Sequence, residues 1–210
     1  MTTPAPRKLT KGERTQQRIL QAALELFSEQ GFATTSVRDI AARAGITHVG
    51  LIHHFPSKDD MLVRILEYRE EQDRANAARF AELGIDRIFA WMVDIISTNI
   101  EHPDRIRLYV KLSAEATEES HPANAYFTRR YSLLLETVAA GFADHFAVTP
   151  PAFDITPEEA ARSVIALMDG LQLQWLLFPG DVDMLAVLHT QLAPLGVTLP
   201  ERSRPDPETP

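Results

Sequence analysis

The stretch from Ser36 to Lys58 reads SVRDIAARAGITHVGLIHHFPSK and contains the signals for two short helices joined by a tight turn. Ser36 is followed three residues later by Asp39, which is the spacing of a reciprocal capping box at a helix start. Gly45 can adopt the left-handed conformation that ends a helix, and Thr47 can cap the second helix. A proline soon afterwards disfavours helical geometry at the residue before it, so the second helix is predicted to be short. This arrangement is typical of a helix-turn-helix, whose second helix enters the DNA major groove.

The second helix also divides its side chains in the way that a groove-reading helix requires. Apolar residues at helical spacing are predicted to point into the protein, namely Ile46, Leu51 and Phe55. Polar residues are predicted to point outward, namely Thr47, His48, His53 and His54. The short second helix therefore has one face for packing and one face for contact with another molecule.

Composition places the chain among ordinary globular proteins. Its 210 residues are 45% hydrophobic and 24% charged, which is enough to form a sizeable core in one or two domains. It has no cysteine, which excludes disulfides and thiolate metal sites. No apolar run approaches the roughly 20 residues of a membrane-spanning helix. The first ten residues lack the apolar segment of a secretory signal, so a cytoplasmic location is expected.

The charge is distributed unevenly along the chain. The net charge is −8, yet residues 1–58 contain eight basic and four acidic residues and carry +4. The remaining residues carry −12. A basic N-terminal part on an acidic remainder suggests that the N-terminal part alone contacts a polyanion, although a solvated surface would look the same.

Apolar side chains recur at helical spacing throughout the chain, so the predicted fold class is all-α, with a three-helix DNA-binding head and a helical body. Helix starts are predicted at Thr10 with Glu13, at Ser57, at Pro103, and at Thr156 with Pro157 and Glu159. The predicted helical ranges after the head are 57–83, 85–100, 104–117, 123–146, 157–178 and 181–195. The predicted domains are a flexible arm (1–9), a helix-turn-helix domain (10–56), a ligand-binding and dimerisation domain (57–195) and a loose proline-rich tail (196–210).

Residues 31–62 resemble the tetracycline-repressor (TetR) family of bacterial regulators. The strongest resemblance is HFPSKDDML at 54–62, which follows Ile46-Thr47 and a Gly-Phe pair at 31–32. The detailed resemblance covers residues 10–62, and the stretch DGLQLQWLL at 169–177 is similar to the penultimate helix of the family. The resemblance to this family implies a homodimer whose two heads read half-sites about 34–36 Å apart on a palindromic operator. It also implies a body that binds a small-molecule effector, and dimerisation through the last two long helices.

Nine residues are predicted to contact DNA: Thr35, Ser36, Arg38, Thr47, His48, Val49, His53, His54 and Lys58. Lys58, just past the second helix, is predicted to contact a phosphate. Thr47 and Ser36 lie at helix N-termini that favour phosphate, although capping alone would explain Ser36. His48 is the first candidate for reading a base edge, and Arg38, which could instead pair with an acid of its own chain, is the second.

The remaining positions of the second helix are less typical of the family. Val49 can make only an apolar contact, for instance to a thymine methyl group. Of the adjacent His53 and His54, one is expected to reach phosphate while the other packs beneath Phe55. Ile52 stands where the family often has a tyrosine that contacts phosphate, so base preferences cannot be transferred from relatives.

The body contains aromatic, methionine and polar residues that either line an effector pocket or simply form the core. The pocket candidates are Trp91, Met92, Ile95, Asn99, Tyr109, Leu112, Ser113, Phe127, Tyr131, Met168, Gln172 and Trp175. A dimer seam is predicted through Ala161, Val164, Ile165, Met168, Leu171, Leu185, Leu188 and Leu192, in competition with burial inside the chain. The long fourth helix is expected to couple effector binding to the spacing of the heads.

Two other functions remain open from the sequence. An all-α enzyme is one, although no catalytic triad spacing, glycine-rich phosphate loop or His-Glu-x-x-His pair is present. The other is a ligand-binding or partner-binding protein that has lost DNA binding, against which the basic head argues. The sequence predicts no cofactor, no metal site and no membrane partner; the predicted partners are operator DNA, an effector and a second copy of the chain.

Overall fold

The computed structural model describes residues 10–78, 80 and 87–199, and the regular structure within these ranges is entirely helical. The predicted arm at 1–9 lies outside the described residues. The chain divides into two compact units, a head that ends at Arg69 and a body that begins at Glu70. The head contains α1 (Lys11–Gln30), α2 (Val37–Arg43) and α3 (His48–His54). Helix α4 (Lys58–Ala78) begins in the head and ends in the body unit. The other helices of the body are α5 (Arg87–Glu101), α6 (Pro103–Glu115), α7 (Asn124–Phe146), α8 (Pro157–Leu177) and α9 (Met184–Leu192).

Local hydrogen bonds set the helix starts of the head. Both halves of the capping box are present at Thr10 with Glu13 and at Ser36 with Asp39, as the sequence predicts. The Thr47 hydroxyl caps α3 by accepting a hydrogen bond from the backbone N–H of Gly50 at 3.1 Å. These side chains satisfy backbone donors that have no partner inside the helix, so each start is fixed by its own sequence.

A continuous apolar core holds the head together. It contains the fully buried Ile19, Phe27, Ile40 and Leu51, one or more from each of the first three helices. The rings of Phe27 and Phe32 meet edge to face, with their centroids 5.2 Å apart. The first turns of α4 add the buried side chains Met61, Leu62, Ile65 and Leu66. This explains why the compact unit continues past residue 56 to Arg69.

The body is a bundle in which α7 and α8 pack along each other and α6 and α9 also pack on α8. Its core includes Phe89, Met92, Val138, Phe142 and Leu188. Helices α5 and α7 approach closely at Gly141, where a Cβ would lie 2.6 Å from Cγ2 of Ile88. Helix α8 begins with the predicted capping box of Thr156 and Glu159 and with a proline in its first turn.

The last helix and the tail differ from the prediction. Helix α9 begins after Asp183, whose side chain accepts from the N–H of Ala186 at 3.0 Å, so it starts later than the predicted residue 181. A short 3₁₀ turn follows it at Ala193–Leu195. Val197 is buried in the body core, so the packed region extends beyond the predicted boundary at 195. The rest of the predicted tail, residues 200–210, lies outside the described residues. So does most of the range 79–83, over which α4 was predicted to continue.

The predicted dimer seam is wrong in its position around α8 and α9. Six of its residues are buried inside the chain's own core: Ala161, Val164, Ile165, Leu171, Leu188 and Leu192. Helices α6 and α7 pack on α8, and α5 packs on α9, so the same side chains are not available to a second copy. Within the described residues, no helix is long and apolar enough to cross a membrane.

Candidate functional site

Helix α3 presents a continuous exposed face. Val49 is 78% exposed and Ile52 is 37% exposed, and the polar His48 and His53 are exposed beside them. Leu51, on the opposite side, is fully buried and anchors the helix in the head core. The face therefore combines two imidazoles with two apolar groups, which is a mixture that suits base edges and thymine methyl groups.

Ile52 also belongs to this face, although the sequence marked it only as a departure from the tyrosine of the family. The available signal was spacing, because Ile52 is four residues after His48 and therefore lies on the same side of the helix. His54, in contrast, is half-buried, and its ring lies against that of His53 with centroids 5.8 Å apart.

The N-terminus of α2 is close to solvent but is partly committed to its own cap. The exposed Ser36 hydroxyl accepts from the backbone N–H of Asp39 at 3.2 Å and donates to the Asp39 carboxylate at 2.6 Å. The same carboxylate accepts from the N–H of Ser36 at 3.3 Å. Thr35 is only 2% exposed, and its hydroxyl donates to the carbonyl of Gly31 at 2.7 Å. The Thr35 hydroxyl is therefore not free to make the predicted contact with phosphate in this conformation.

The two arginines of α2 have different environments. The Arg43 guanidinium binds both carboxylate oxygens of Glu29, at 3.2 and 3.0 Å, and also Glu25 at 3.3 Å. The hydrogen bond from Arg43 holds the pKa of Glu29 below its ordinary value. Arg38 is exposed and makes no ion pair with any residue in the described ranges. Arg43 thus joins α2 to α1, whereas Arg38 keeps its charge available to an external anion.

Lys58 has partners in the structure that the sequence did not predict. Its ammonium donates to the carbonyl of Phe32 at 2.7 Å and to that of Thr35 at 3.0 Å, and lies 3.4 Å from that of Ala33. The nitrogen also lies 4.2 Å from the centroid of the Phe32 ring. These contacts are within the head, where the prediction was a contact to phosphate.

The predicted pocket residues of the body fall into two groups. Met92 is in the main core, with Trp91, Tyr131, Met168 and Trp175 packed against that core. The other group surrounds Tyr109, whose ring meets that of Phe127 at 5.8 Å and whose hydroxyl lies 3.2 Å from that of Tyr126. The remaining predicted pocket residues are Ile95, Asn99, Leu112, Ser113 and Gln172. All twelve predicted pocket residues are buried or half-buried.

A polar bridge joins the two longest helices of the body. The hydroxyl of Tyr131 on α7 donates to the carboxylate of Asp169 on α8 at 2.7 Å. Burial raises the pKa of Asp169, while the hydrogen bond from Tyr131 and the charge of Arg130 partly oppose that rise. Burial, together with the bond to Asp169, also raises the pKa of the Tyr131 phenol. Tyr131 was predicted as a pocket residue, but its bond to Asp169 was not.

One surface hollow of the body lies away from the predicted pocket. It has a volume of about 480 Å³ and is open to solvent. Its lining comes from the end of α5 and from the start of α9 with the loop before it: Ile100, Gly180, Val182, Asp183, Met184, Leu185 and Ala186. None of the predicted pocket residues lines it. Within the described ranges, no cluster of three or more His, Asp or Glu side chains could hold a metal ion.

Comparisons with known proteins give a consistent result for fold and sequence. Residues 19–65 match the family described as bacterial regulatory proteins, tetR family. The HTH-type transcriptional regulator UidR of Escherichia coli K12 is 30% identical over 164 residues, which are 77% of this chain and 82% of UidR. The repressor KstR2 of Rhodococcus jostii is 32% identical over 126 residues, 60% of this chain and 54% of KstR2, so the match spans about half of that relative.

Solved structures extend the similarity into the body. NalD, the secondary repressor of the MexAB-OprM multidrug efflux pump in Pseudomonas aeruginosa, superposes with a TM-score of 0.68 and 26% identity. The superposition covers 88% of this chain and 94% of NalD. The similarity therefore includes the helical body as well as the helix-turn-helix.

Proposed function

Because this chain belongs to the tetR family of bacterial regulatory proteins, we propose that it regulates transcription as a homodimer that binds a palindromic DNA operator. Repression, with release when a small-molecule effector binds the body, is the proposed mode. The exposed face of α3 carries this proposal, because His48, Val49, Ile52 and His53 project from a short helix anchored by Leu51.

Each group on the head has a proposed role on DNA. His48 reads a base edge through its ring nitrogens, and Val49 contacts a thymine methyl group. His53 and Arg38 bind phosphates on either side of the groove. The N–H groups at the start of α3, next to Thr47, offer a further phosphate contact because the helix dipole favours an anion there. The exposed Ser36 contacts phosphate at the start of α2 only if its hydroxyl turns away from the Asp39 carboxylate, to which it donates at 2.6 Å. The half-buried His54 supports His53 by packing against its ring.

The dimer face is proposed to lie on the outer side of α7 and α8. Leu133 is 52% exposed on α7, and Leu173 and Leu177 are 45% and 62% exposed on α8. The small residues Ala140 and Ala166 are also exposed on these helices and would allow two helix pairs to approach closely. A second copy is the proposed occupant, because a homodimer is typical of the family and these are the two longest helices of the body.

The effector is proposed to bind among the predicted pocket residues of the body. Asn99 on α5, Ser113 on α6 and Gln172 on α8 are half-buried polar side chains on three different helices. A few polar groups within an apolar surround are typical of sites for small molecules. Compounds that raise the melting temperature of the protein should also lower its affinity for operator DNA. Stabilising compounds that left DNA affinity unchanged would contradict this part of the proposal.

Selection of binding sites from a random pool of double-stranded DNA tests the main proposal. The wild-type protein should enrich a palindrome whose half-site centres are about one helical turn, roughly 34–36 Å, apart. A triple variant, His48→Ala with Val49→Ala and His53→Ala, is the control, because it changes only exposed side chains and should keep its helical circular dichroism. Absence of enrichment by a folded wild-type protein would refute the proposal. Equal enrichment by the triple variant would refute the role of the α3 face.

A further inference from the structure

The ammonium of Lys58 occupies a site made of backbone carbonyls. It donates to the carbonyls of Phe32 and Thr35 at 2.7 and 3.0 Å, and it lies above the Phe32 ring. An ammonium has three donors, and a third carbonyl, that of Ala33, is 3.4 Å away. A phosphate contact would therefore require the side chain to leave partners that it already has.

These carbonyls belong to the loop that leads into α2. The loop begins at Gly31, whose φ of +89° is in the region that favours glycine. It then passes through the buried Thr35, whose N–H donates to the Phe32 carbonyl at 3.3 Å. The next residue is Ser36, the N-cap of α2. Lys58 thus binds the segment that places the first residue of the helix-turn-helix.

Lys58 itself is the first residue of α4, directly after the helix-turn-helix. Its hydrogen bonds span 23 to 26 residues of sequence, and both α2 and α3 lie between the two ends. One side chain therefore joins the entry and the exit of the DNA-reading element. The fixed positive charge favours this arrangement because several carbonyl dipoles point toward it while the aromatic ring covers another side.

We propose that Lys58 is a positioning residue for DNA recognition, which holds the entry loop of α2 against the start of α4, and that it does not neutralise a phosphate. This inference rests on the proposed function, since it assigns how the head keeps the α2 and α3 faces in register. Loss of Lys58 should reduce affinity for the operator more than affinity for random DNA. Operator binding requires Ser36, Arg38 and His48 in fixed relative positions, whereas non-specific attraction requires only positive charge.

Two substitutions separate positioning from direct phosphate binding. Lys58→Met removes the charge and the donors but keeps an unbranched apolar stem. Lys58→Arg keeps the charge, but its planar guanidinium cannot direct three donors from one atom toward the loop carbonyls. Arginine binds phosphate at least as well as lysine does, so a phosphate contact predicts that Lys58→Arg restores binding, whereas a positioning role predicts that it does not. Arg64→Met is the matched control, because it removes one positive charge from the same helix.

Fluorescence anisotropy with selected operator DNA and with random DNA, between 50 and 200 mM KCl, measures both affinity and salt dependence. Lys58→Met and Lys58→Arg should each lose about tenfold in operator affinity, as expected for one lost charge-assisted hydrogen-bonding site, with little loss on random DNA. The slope of log affinity against log salt should stay at the wild-type value. Arg64→Met should keep the wild-type ratio of operator to random affinity. A slope reduced by about 1 in Lys58→Met, with equal weakening on both DNAs, would overturn the inference.

Amide hydrogen exchange of the DNA-free protein tests the same inference without DNA. Lys58→Arg should speed exchange in the peptide that covers residues 32–40, which includes the N–H groups of Thr35, Asp39 and Ile40, while the peptides of α1 stay protected. Unchanged exchange in that segment would overturn the inference even if operator binding were normal. A wild-type protein that failed to distinguish operator from random DNA would instead refute the proposed function, and the exchange result would still decide the role of Lys58.

Discussion

The head and the body expose apolar side chains in different patterns. In the head, Val49 and Ile52 alternate with histidines on α3, which is only seven residues long. In the body, Leu133, Leu173 and Leu177 lie on helices of 23 and 21 residues. A short mixed face is suited to base edges, which require hydrogen bonds as well as methyl contacts. A long leucine stripe is suited to another protein surface, whose association is driven by apolar area.

Negative charge placed among the exposed leucines of α7 and α8, the leucine stripe, should have the largest effect. The double variant Leu173→Glu with Leu177→Glu should dissociate the dimer, because association would bury four unpaired carboxylates per pair of chains. Operator affinity should then fall by more than about 100-fold, since each head would bind its half-site without the benefit of the other. Light scattering after size exclusion at micromolar concentration and anisotropy with operator DNA measure the two effects.

Val148→Glu is the control for that experiment. Val148 is also an exposed apolar side chain of the body, but it lies in the loop after α7 and outside the proposed face. The control should remain a dimer with wild-type operator affinity. If the double leucine variant stayed dimeric, the exposed leucines of α8 would not form the dimer face, and the face would have to lie elsewhere on the body.

A substitution on α3 should have a smaller effect that is confined to sequence preference. His48→Ala should reduce discrimination at one base pair of each half-site by about 1–3 kcal/mol, while affinity for random DNA changes little. Binding to a set of operators with single base-pair changes measures this. Equal weakening on every operator would assign His48 to phosphate, and the head face would then lack its main base-reading group.

Loss of the hydrogen bond between Tyr131 and Asp169 should have a still smaller effect, which is confined to the stability of the fold. Tyr131→Phe should lower the free energy of unfolding by about 1 kcal/mol, because it removes one hydrogen bond between α7 and α8. In an Asp169→Ala background the same substitution should cost much less, as a double-mutant cycle in urea would show. Equal costs in both backgrounds would mean that the bridge contributes nothing beyond packing.

The pH dependence of the same bridge has a defined sign. The folded protein raises the pKa of Asp169, so ionisation of this carboxyl opposes folding. Its contribution to stability should therefore improve as pH falls through that raised pKa toward the ordinary value of 3.8. The stability difference between wild type and Asp169→Asn, followed by urea unfolding from pH 7 to pH 4, should shift in favour of the wild type. A difference that did not vary with pH would contradict the raised pKa.

The smallest effect is expected at the exposed ion pairs of the head. Arg43 holds the pKa of Glu29 below its ordinary value, so any stabilisation is present above pH 4.5 and is lost as pH falls through the lowered pKa. Thermal melts of wild type and Glu29→Gln should differ slightly at neutral pH and converge in acid, because exposed pairs contribute little. Larger differences in acid than at neutral pH would contradict this assignment.

Helix starts were predictable because their determinants are local. The side chains of Thr10, Ser36 and Thr156 each bond to a backbone group three residues away, and the capping boxes with Glu13, Asp39 and Glu159 are all confirmed. The exception is α9, where both Asp181 and Asp183 are acidic residues that can cap a helix, and spacing alone does not choose between them. The all-α fold class is confirmed for the same reason, since helical periodicity is also a local property.

The candidate site was predictable only in part. Exposure of Thr47, His48 and His53 followed from helical spacing and the position of one buried leucine, whereas His54, which was predicted to point outward, is half-buried. The partners of Lys58 did not follow, because the carbonyls that bind its ammonium are more than 20 residues away in sequence. The burial of Thr35 did not follow either, because it depends on how the loop before α2 packs in the head, even though its hydroxyl bonds to Gly31 only four residues away. The assignment of DNA contacts and pocket residues to individual side chains stays a prediction.

By itself, the stretch from Ser36 to Lys58 determined that two short capped helices form a helix-turn-helix with a buried and an exposed side. Hydrogen bonds across three residues and a helical repeat are sufficient for this, because they require no knowledge of the rest of the chain. Only the tertiary structure decided which side of α8 is core, and that Lys58 binds the entry loop of α2. Both depend on which distant segment occupies a given surface, and competition among surfaces of similar polarity is resolved only when the whole chain packs.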